Sequence, residues 1–588
     1  MSNLEKLREV MKSENIDYYI IPSSDAHQSE YVANYFKGRE FVSGFTGSAG
    51  TLLVGLKEAY LWTDGRYFIQ ADNELKGSGI SLMKMRTPGY PSIEEWLKKN
   101  VNSGEVLGFD GSVFSVDQYE GYLRVANGNN FTIDMNKDLL NNIWDTRSEL
   151  PKNKIFIHDV KYAGKSAKEK LEEVRNHMKE VSAENYILSS LDDIAWLCNI
   201  RGNDIDFNPV ALSYVIIKLD SAVLYINGEK VDAETKAALN KEGFEIAEYS
   251  DVEKDVKVIK GKTLIDSGKL NAKLFTALNK DVEVIKEINI TTKLKAIKNS
   301  TEIANWEVSQ VRDGVAMVKF IKWLKENIGK EKITEISASD KLTAIRAMGE
   351  NYKGDSFGTI AGYKDHAAMM HYSATKASEY ELKAEGMFLV DSGAQYLDGT
   401  TDITRTFILG PITEEEKTDY TLVLKGHIAL SSAKFLRGVT GVNLDILARR
   451  PLWECGIDYK CGTGHGVGFF LNVHEGPQGI RVEGNSTVLE PGMILTNEPG
   501  VYKEGKHGIR TENTLLVVED VKSEEFGEFY KFRTISYCPI DLNGVNVELL
   551  SPEEKKWLND YHKTVFEKLS PYLNEEEVEF LRHETRSI

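Results

Sequence analysis

Met387-Phe388-Leu389-Val390-Asp391-Ser392-Gly393-Ala394-Gln395-Tyr396-Leu397-Asp398-Gly399-Thr400-Thr401-Asp402-Ile403-Thr404-Arg405-Thr406-Phe407 holds an apolar run, a polar middle and an alternating run. Two strands joined by the Asp398-Gly399 turn are the natural reading, because Asp-Gly tolerates the backbone a tight hairpin needs. Asp391 ends the apolar run, where an ionised carboxylate is costly unless it is paired, hydrogen-bonded or bound to a cation. Something positive should therefore sit beside it. Asp402, across the hairpin, approaches the same point, so the pair is placed to bridge a metal. Taken alone, a strand aspartate is more often a turn or salt-bridge residue, and the reading depends on what lies further along the chain.

Downstream, Gly462-Thr463-Gly464-His465-Gly466-Val467-Gly468 is followed by Leu471-Asn472-Val473-His474-Glu475-Gly476-Pro477. Glycines around a histidine let the backbone approach another surface closely and leave the imidazole accessible, which suits a metal ligand as well as a hydrogen-bonded core histidine. Met493-Ile494-Leu495-Thr496-Asn497-Glu498-Pro499-Gly500 then puts a glutamate at the end of an apolar strand. Gly508-Ile509-Arg510-Thr511-Glu512-Asn513-Thr514 puts another at the start of the next. On a continuous strand Arg510 and Glu512 share a face, so the guanidinium is expected to orient a ligating carboxylate, or else to form a simple ion pair with it. Asp391, Asp402, His465, Glu498 and Glu512 make an oxygen-rich, thiolate-free set that suits hard divalent ions such as Mn²⁺ better than structural zinc. Two ions fit better than one, since a pair about 3.5–4 Å apart can share bridging carboxylates and activate a water.

The rest of the chain frames this region. At 588 residues it exceeds the ~250–300 at which a single core stops growing, and three domains are expected, at 1–152, 153–298 and 299–588, the last with a C-terminal extension from about 525. Residues 1–150 mix helical and strand patterns, with strand candidates at Tyr18-Tyr19-Ile20-Ile21-Pro22, Thr51-Leu52-Leu53-Val54 and Ala59-Tyr60-Leu61-Trp62. Residues 185–227 replay that order, which predicts a degenerate repeat of one α/β unit. Asn299-Ser300-Thr301-Glu302 and Ser551-Pro552-Glu553-Glu554 are capping boxes opening a long helix and an ordered C-terminal helix. A net charge of −18 without a long basic run excludes nucleic acid as the expected partner. No window is apolar enough for a membrane helix, and the charged N-terminus lacks a signal-peptide pattern. Only Cys198, Cys455, Cys461 and Cys538 occur, without framework spacing, so a reducing compartment, the cytoplasm, is expected.

Taken together and in this order, the motifs closely resemble those of the Xaa-Pro aminopeptidases, members of the pita-bread metallopeptidases. The resemblance implies an α/β (α+β) fold: two creatinase-like N-terminal α/β domains, then a pita-bread catalytic domain with a C-terminal extension that helps to form a homodimer. It implies that Asp391, Asp402, His465, Glu498 and Glu512 hold two divalent ions, Mn²⁺ foremost, with Zn²⁺ or Co²⁺ as alternatives. His371 and His474 match the family histidines that hold the substrate and its tetrahedral intermediate, and Arg66 resembles a first-domain arginine that reaches the substrate pocket. The implied reaction is attack of a metal-bridging hydroxide on the carbonyl before a proline at position 2 of a peptide, with Glu498 as proton shuttle. Prolidase, which cleaves dipeptides, is the rival within the class, and the extra middle domain argues against it. Cys461 stands where relatives usually carry a histidine, which touches one pocket contact and no metal ligand.

Overall fold

The apolar runs of the first 227 residues become central strands of two sheets. In the computed structural model, which describes all of Met1–Ile588, the chain divides into two compact units: Met1–Val160 with Lys165–Lys293, and Lys161–Gly164 with Leu294–Ile588. The first unit holds β1 (Tyr18–Pro22), β2 (Thr51–Gly55), β3 (Ala59–Thr63), β4 (Ser81–Lys84), β5 (Val106–Gly108) and β6 (Thr132–Asp134) in the order β4-β3-β2-β1-β5-β6. Its second sheet holds β7 (Asn185–Leu188), β8 (Ser213–Lys218), β9 (Ala222–Ile226), β10 (Glu245–Ala247), β11 (Lys262–Ile265) and β12 (Glu283–Lys286) in the order β10-β9-β8-β7-β11-β12. Every pairing keeps its sense from one sheet to the other: β1 and β7 are antiparallel to β2 and β8, and parallel to β5 and β11. The expected repeat is thus a repeat of topology, and its central strands are buried on both faces, as continuous apolar runs require.

The second unit opens with α1 (Ser300–Asn327), whose Asn299 cap accepts from the amides of Thr301 and Glu302 while Glu302 answers back to the Asn299 amide. Such a reciprocal cap is worth about 1 kcal/mol and fixes where the helix starts. Trp306, Met317, Phe320 and Leu324 on it are buried. Two sheets position the candidate ligands. One is antiparallel, β13 (Ile360–Tyr363) with β14 (Met387–Ser392) and β17 (Ile403–Ile408). Between β14 and β17 the chain forms a separate small hairpin, β15 (Ala394–Tyr396) with β16 (Gly399–Thr400). The other sheet has six strands: β18 (Lys434–Leu436), β24 (Gly527–Thr534), β23 (Asn513–Ser523), β21 (Ile494–Asn497), β19 (Gly464–Gly466) and β20 (Glu475–Ile480), in that order. β22 (His507–Arg510) pairs with Gly500–Lys503.

The hairpin over 387–407 is therefore not the continuous ladder its sequence suggests. It breaks at Gly393 and at Thr401-Asp402, and a Cβ on Gly393 would lie 1.9 Å from the Thr401 carbonyl oxygen. Only glycine allows the two arms to cross so closely. The break releases Asp402 from strand alternation and leaves it where β17 begins.

Near the end of the chain stands α4 (Pro552–Leu569), capped by Ser551 and Glu554 and buried through Leu558, Tyr561 and Val565, and a shorter helix over Glu575–Glu584 follows it. No helix is long and apolar enough to cross a membrane.

Candidate metal centre

Asp391 stands at the end of β14, opposite Ile360 on one side and Thr404 on the other. Its Oδ2 accepts a 2.5 Å hydrogen bond from Arg510 Nη2, the positive group expected beside it, while its buried Oδ1 has no hydrogen-bond partner in the protein. Asp402, buried, sends Oδ2 to within 3.5 Å of His465 Nε2, and Glu498, leaving β21, sends Oε1 to within 3.4 Å of the same nitrogen. Glu512 follows β22; its Oε2 accepts from Thr404 Oγ1 at 2.6 Å, and its buried Oε1 also has no protein partner. One donor atom from each of Asp402, His465 and Glu512 lies within 4.8 Å of the other two.

The glycines place the histidine. A Cβ on Gly464 would lie 2.0 Å from the Thr496 carbonyl, so β19 can press against β21 only with glycine there. The His465 imidazole stays partly exposed. Its Nδ1 lies 2.9 Å from the Gly466 carbonyl, which can only accept, so Nδ1 carries a hydrogen and Nε2, facing Asp402 and Glu498, is the nitrogen placed to ligate a metal.

Electrostatics sets these carboxylates apart. Burial, followed by the charges of Asp391 and Glu498, holds the Asp402 carboxyl well above the usual carboxylate range. Burial, then Asp402, Asp391 and Glu498, does the same to Glu512. Burial pushes Glu498 up to about 7, with Asp391 adding and Arg510 opposing. Like charges this crowded in a buried pocket, with acceptor oxygens left over, fit divalent cations: an ion satisfies the unpartnered oxygens and relieves the repulsion. With oxygen donors, one imidazole and no thiolate, the set suits hard or borderline ions.

His474 is half-buried, its ring edge-on to His465 at 4.3 Å and 89°. The next residue, Glu475, is anchored: its Oε2 lies 3.3 Å from Lys295 Nζ and its Oε1 accepts from Lys298, all three side chains being buried. His371 lies half-buried in the turn after residues 364–368, a segment packed against β22. Arg66 belongs to the first unit, where it forks onto Asp64 at 2.9 and 2.8 Å. Cys461 is half-buried, and its carbonyl accepts from Arg449 Nη2 at 2.7 Å.

One expectation is corrected. Arg510 and Glu512 do not share a strand face, because β22 ends at Arg510 and β23 begins at Asn513. The guanidinium does hold a carboxylate of this group, but that of Asp391; its Nε donates to Thr404 Oγ1 at 3.1 Å and its Nη1 to Tyr502 OH at 2.6 Å. Thr404 and Tyr502 escaped the sequence reading. Neither had a signal: Thr404 comes opposite Asp391 only through the β14–β17 register, which the break at Gly393 and Thr401-Asp402 sets, and Tyr502 lies outside the motifs.

Comparisons with known proteins bear on the whole chain. Residues 3–135 and 146–302 match two models of the creatinase/prolidase N-terminal domain, 306–519 match metallopeptidase family M24, and 528–588 match the C-terminal region of peptidase M24. The chain is 40% identical to Xaa-Pro aminopeptidase 1 of Dictyostelium discoideum over 100% of its own length and 96% of the relative's. It is 39% identical to the probable Xaa-Pro aminopeptidase P of Laccaria bicolor, over 99% and 92%. Among solved structures, the X-prolyl aminopeptidase of Caenorhabditis elegans, described as a cytosolic enzyme with a di-nuclear active site, superposes with a TM-score of 0.96 at 33% identity, covering 100% of both chains. The Xaa-Pro dipeptidase of Bacillus anthracis reaches a TM-score of 0.51 at 25% identity, covering 64% of this chain and 99% of its own.

Proposed function

The chain belongs to the Xaa-Pro aminopeptidases of metallopeptidase family M24, and from that premise we propose that it hydrolyses the bond before proline in peptides carrying proline at position 2, with two divalent ions held by Asp391, Asp402, His465, Glu498 and Glu512. The observation that carries this reading is the convergence of buried carboxylates of raised pKa on one imidazole nitrogen, with oxygens of Asp391 and Glu512 left unpartnered. Bound there, such ions supply a Lewis acid for the scissile carbonyl and an activated water. The chain's own residues do the rest. Arg510 keeps Asp391 aimed. Glu498, more exposed than Asp402, takes the proton of the attacking water and returns it to the leaving imide nitrogen. His474, against His465, and His371 donate to the substrate or its oxyanion. Arg66 is carried as a substrate-binding residue on the family resemblance alone.

The same reading divides the chain at 1–152, 153–298 and 299–588, and makes Mn²⁺ the working metal, the cytoplasm the location and a homodimer the assembly. Dipeptidase specificity is disfavoured by full-length similarity to aminopeptidases, whereas the Bacillus anthracis dipeptidase covers 64% of the chain. The test is hydrolysis of Arg-Pro-Pro, Arg-Ala-Ala and Ala-Pro by metal-stripped enzyme with and without added Mn²⁺. Manganese-dependent cleavage of Arg-Pro-Pro far above the others is expected; cleavage confined to Ala-Pro would make the enzyme a prolidase.

A further inference from the structure

Glu498 and Glu512 emerge from neighbouring strands, and what aligns them lies beneath. The last residue of β21 before Glu498 is Asn497, and the first residue of β23 after Glu512 is Asn513; the two asparagines sit directly opposite each other in the antiparallel register. Under both lies His427, fully buried on α3 (Glu414–Ser431). Its Nδ1 is 3.1 Å from the Asn497 carbonyl oxygen, and its Nε2 is 3.1 Å from Asn513 Nδ2.

These atoms leave no freedom in the hydrogen-bond directions. A carbonyl only accepts, so Nδ1 donates to Asn497. The Asn513 amide is oriented independently, because its Oδ1 accepts from Arg405 Nη2 at 2.8 Å and a guanidinium only donates. Asn513 Nδ2 must therefore donate to His427 Nε2. One neutral imidazole spans the two strand ends, donating to one and accepting from the other. The contact is reciprocated: Asn497 Nδ2 donates to the His427 carbonyl and to Ser431 Oγ, both at 2.9 Å. Arg405 secures the far side through its 2.5 Å bond to the Glu512 carbonyl.

We propose that His427 is a positioning residue for the metal centre, clipping the ends of β21 and β23 together so that the Glu498 and Glu512 carboxylates converge. The proposal rests on the assignment of both glutamates as metal ligands. No hydrogen bond joins His427 to either carboxylate, and it acts through Asn497 and Asn513. Groups that orient metal ligands typically govern about 10–100-fold in metal affinity.

The test is Mn²⁺ binding by isothermal titration calorimetry on the metal-stripped full-length chain, with thermal melting to establish the fold and kcat and KM on Arg-Pro-Pro at several Mn²⁺ concentrations. His427→Phe fills the space but can neither donate nor accept; His427→Gln can do both. His427→Phe is expected to weaken Mn²⁺ binding at least about 10-fold, with kcat partly restored by excess Mn²⁺ and KM little changed, while His427→Gln stays within about threefold of the parent. Should the phenylalanine variant fail to fold, His427→Asn, too short to reach Asn513, carries the same expectation. Folded variants that lack the bridge yet bind Mn²⁺ as the parent does, or a glutamine variant as weak as the phenylalanine one, overturn the proposal. Glu512→Gln separates the two readings: if it loses affinity while His427→Phe keeps it, only the clip is wrong. If Glu512→Gln also binds Mn²⁺ unchanged, the ligand assignment falls and the clip with it.

Discussion

Glu498 differs from its neighbours in the centre. Its side chain is 20% exposed, whereas that of Asp402 is 5% exposed, and its carboxyl is pushed up to about 7. A group that exchanges protons in every turnover needs that access. Glu498→Gln keeps the shape and removes the proton exchange, so kcat for Arg-Pro-Pro at saturating Mn²⁺ should fall by about 10²–10⁴-fold with the far-ultraviolet circular dichroism unchanged. A loss below tenfold would move the proton-transfer role elsewhere. At this scale the sequence was most informative where it broke a rule: Asp391 and Glu498 end apolar runs, which is costly without a compensating charge. It was least informative about partners. Nothing in the order of residues says that Arg510 turns to Asp391 instead of Glu512, because that choice depends on where β22 stops.

The elements show why. Strand alternation is legible in 387–407 only up to Gly393, and the break there is a steric fact about two arms crossing. Gly393→Ala forces a Cβ to within 1.9 Å of the Thr401 carbonyl, and backbone oxygen cannot step aside as a side chain can. About 1–3 kcal/mol of stability should be lost, read as a lower denaturation midpoint, together with weakened Mn²⁺ binding because Asp402 follows Thr401 directly. A second element depends on one buried carboxylate. Glu335, at the start of α2 (Glu335–Ala347), accepts from the amides of Tyr363 and Tyr380 at 2.8 Å, and lies 3.0 Å from both Tyr372 OH and His366 Nδ1. It thus gathers the segment carrying His371. In Glu335→Ala those donors lose their acceptor, and amide hydrogen exchange across 364–380 should accelerate at least about tenfold relative to β14 and β17. Unchanged exchange there would mean that packing alone holds the segment. The sequence reading reached His371 through its motif and had no means of reaching Glu335, whose partners span 363–380.

For the whole molecule, the coarse plan was the most legible part. Continuous apolar runs marked buried strands, their recurrence marked the repeat, and the sheets have matching strand orders. What the sequence could not convey is how a C-terminal helix supports a centre far from it in sequence. Tyr561 on α4 donates toward Asn513 Oδ1 at 3.1 Å, and Trp557 lies edge-on to His427 at 5.8 Å. The same helix carries His562, 1% exposed, whose Nε2 accepts from the Ile540 amide at 3.1 Å. Burial, then the Arg405 charge, pushes His562 down to about 4 and His427 down to about 3. Both are therefore neutral in the fold at pH values where the unfolded chain, with histidines near about 6.5, takes up protons. Their contribution is fully present above about pH 6.5 and is lost as the pH falls toward the folded values, at up to about 1.4 kcal/mol per pH unit for each histidine. The raised carboxylates of the metal centre pull the other way, gaining stability on acidification, so the slope of the parent alone does not isolate the histidines. A paired comparison does. His562→Gln keeps an acceptor for the Ile540 amide but has nothing to protonate, and the carboxylates are common to both proteins. Urea unfolding from pH 7 to 4.5 should show the parent losing stability faster than the variant below about pH 6.5, the difference growing as the pH falls. Parallel profiles would mean that His562 is as protonated in the folded protein as in the unfolded chain, and that the Ile540 amide does not hold its Nε2 bare.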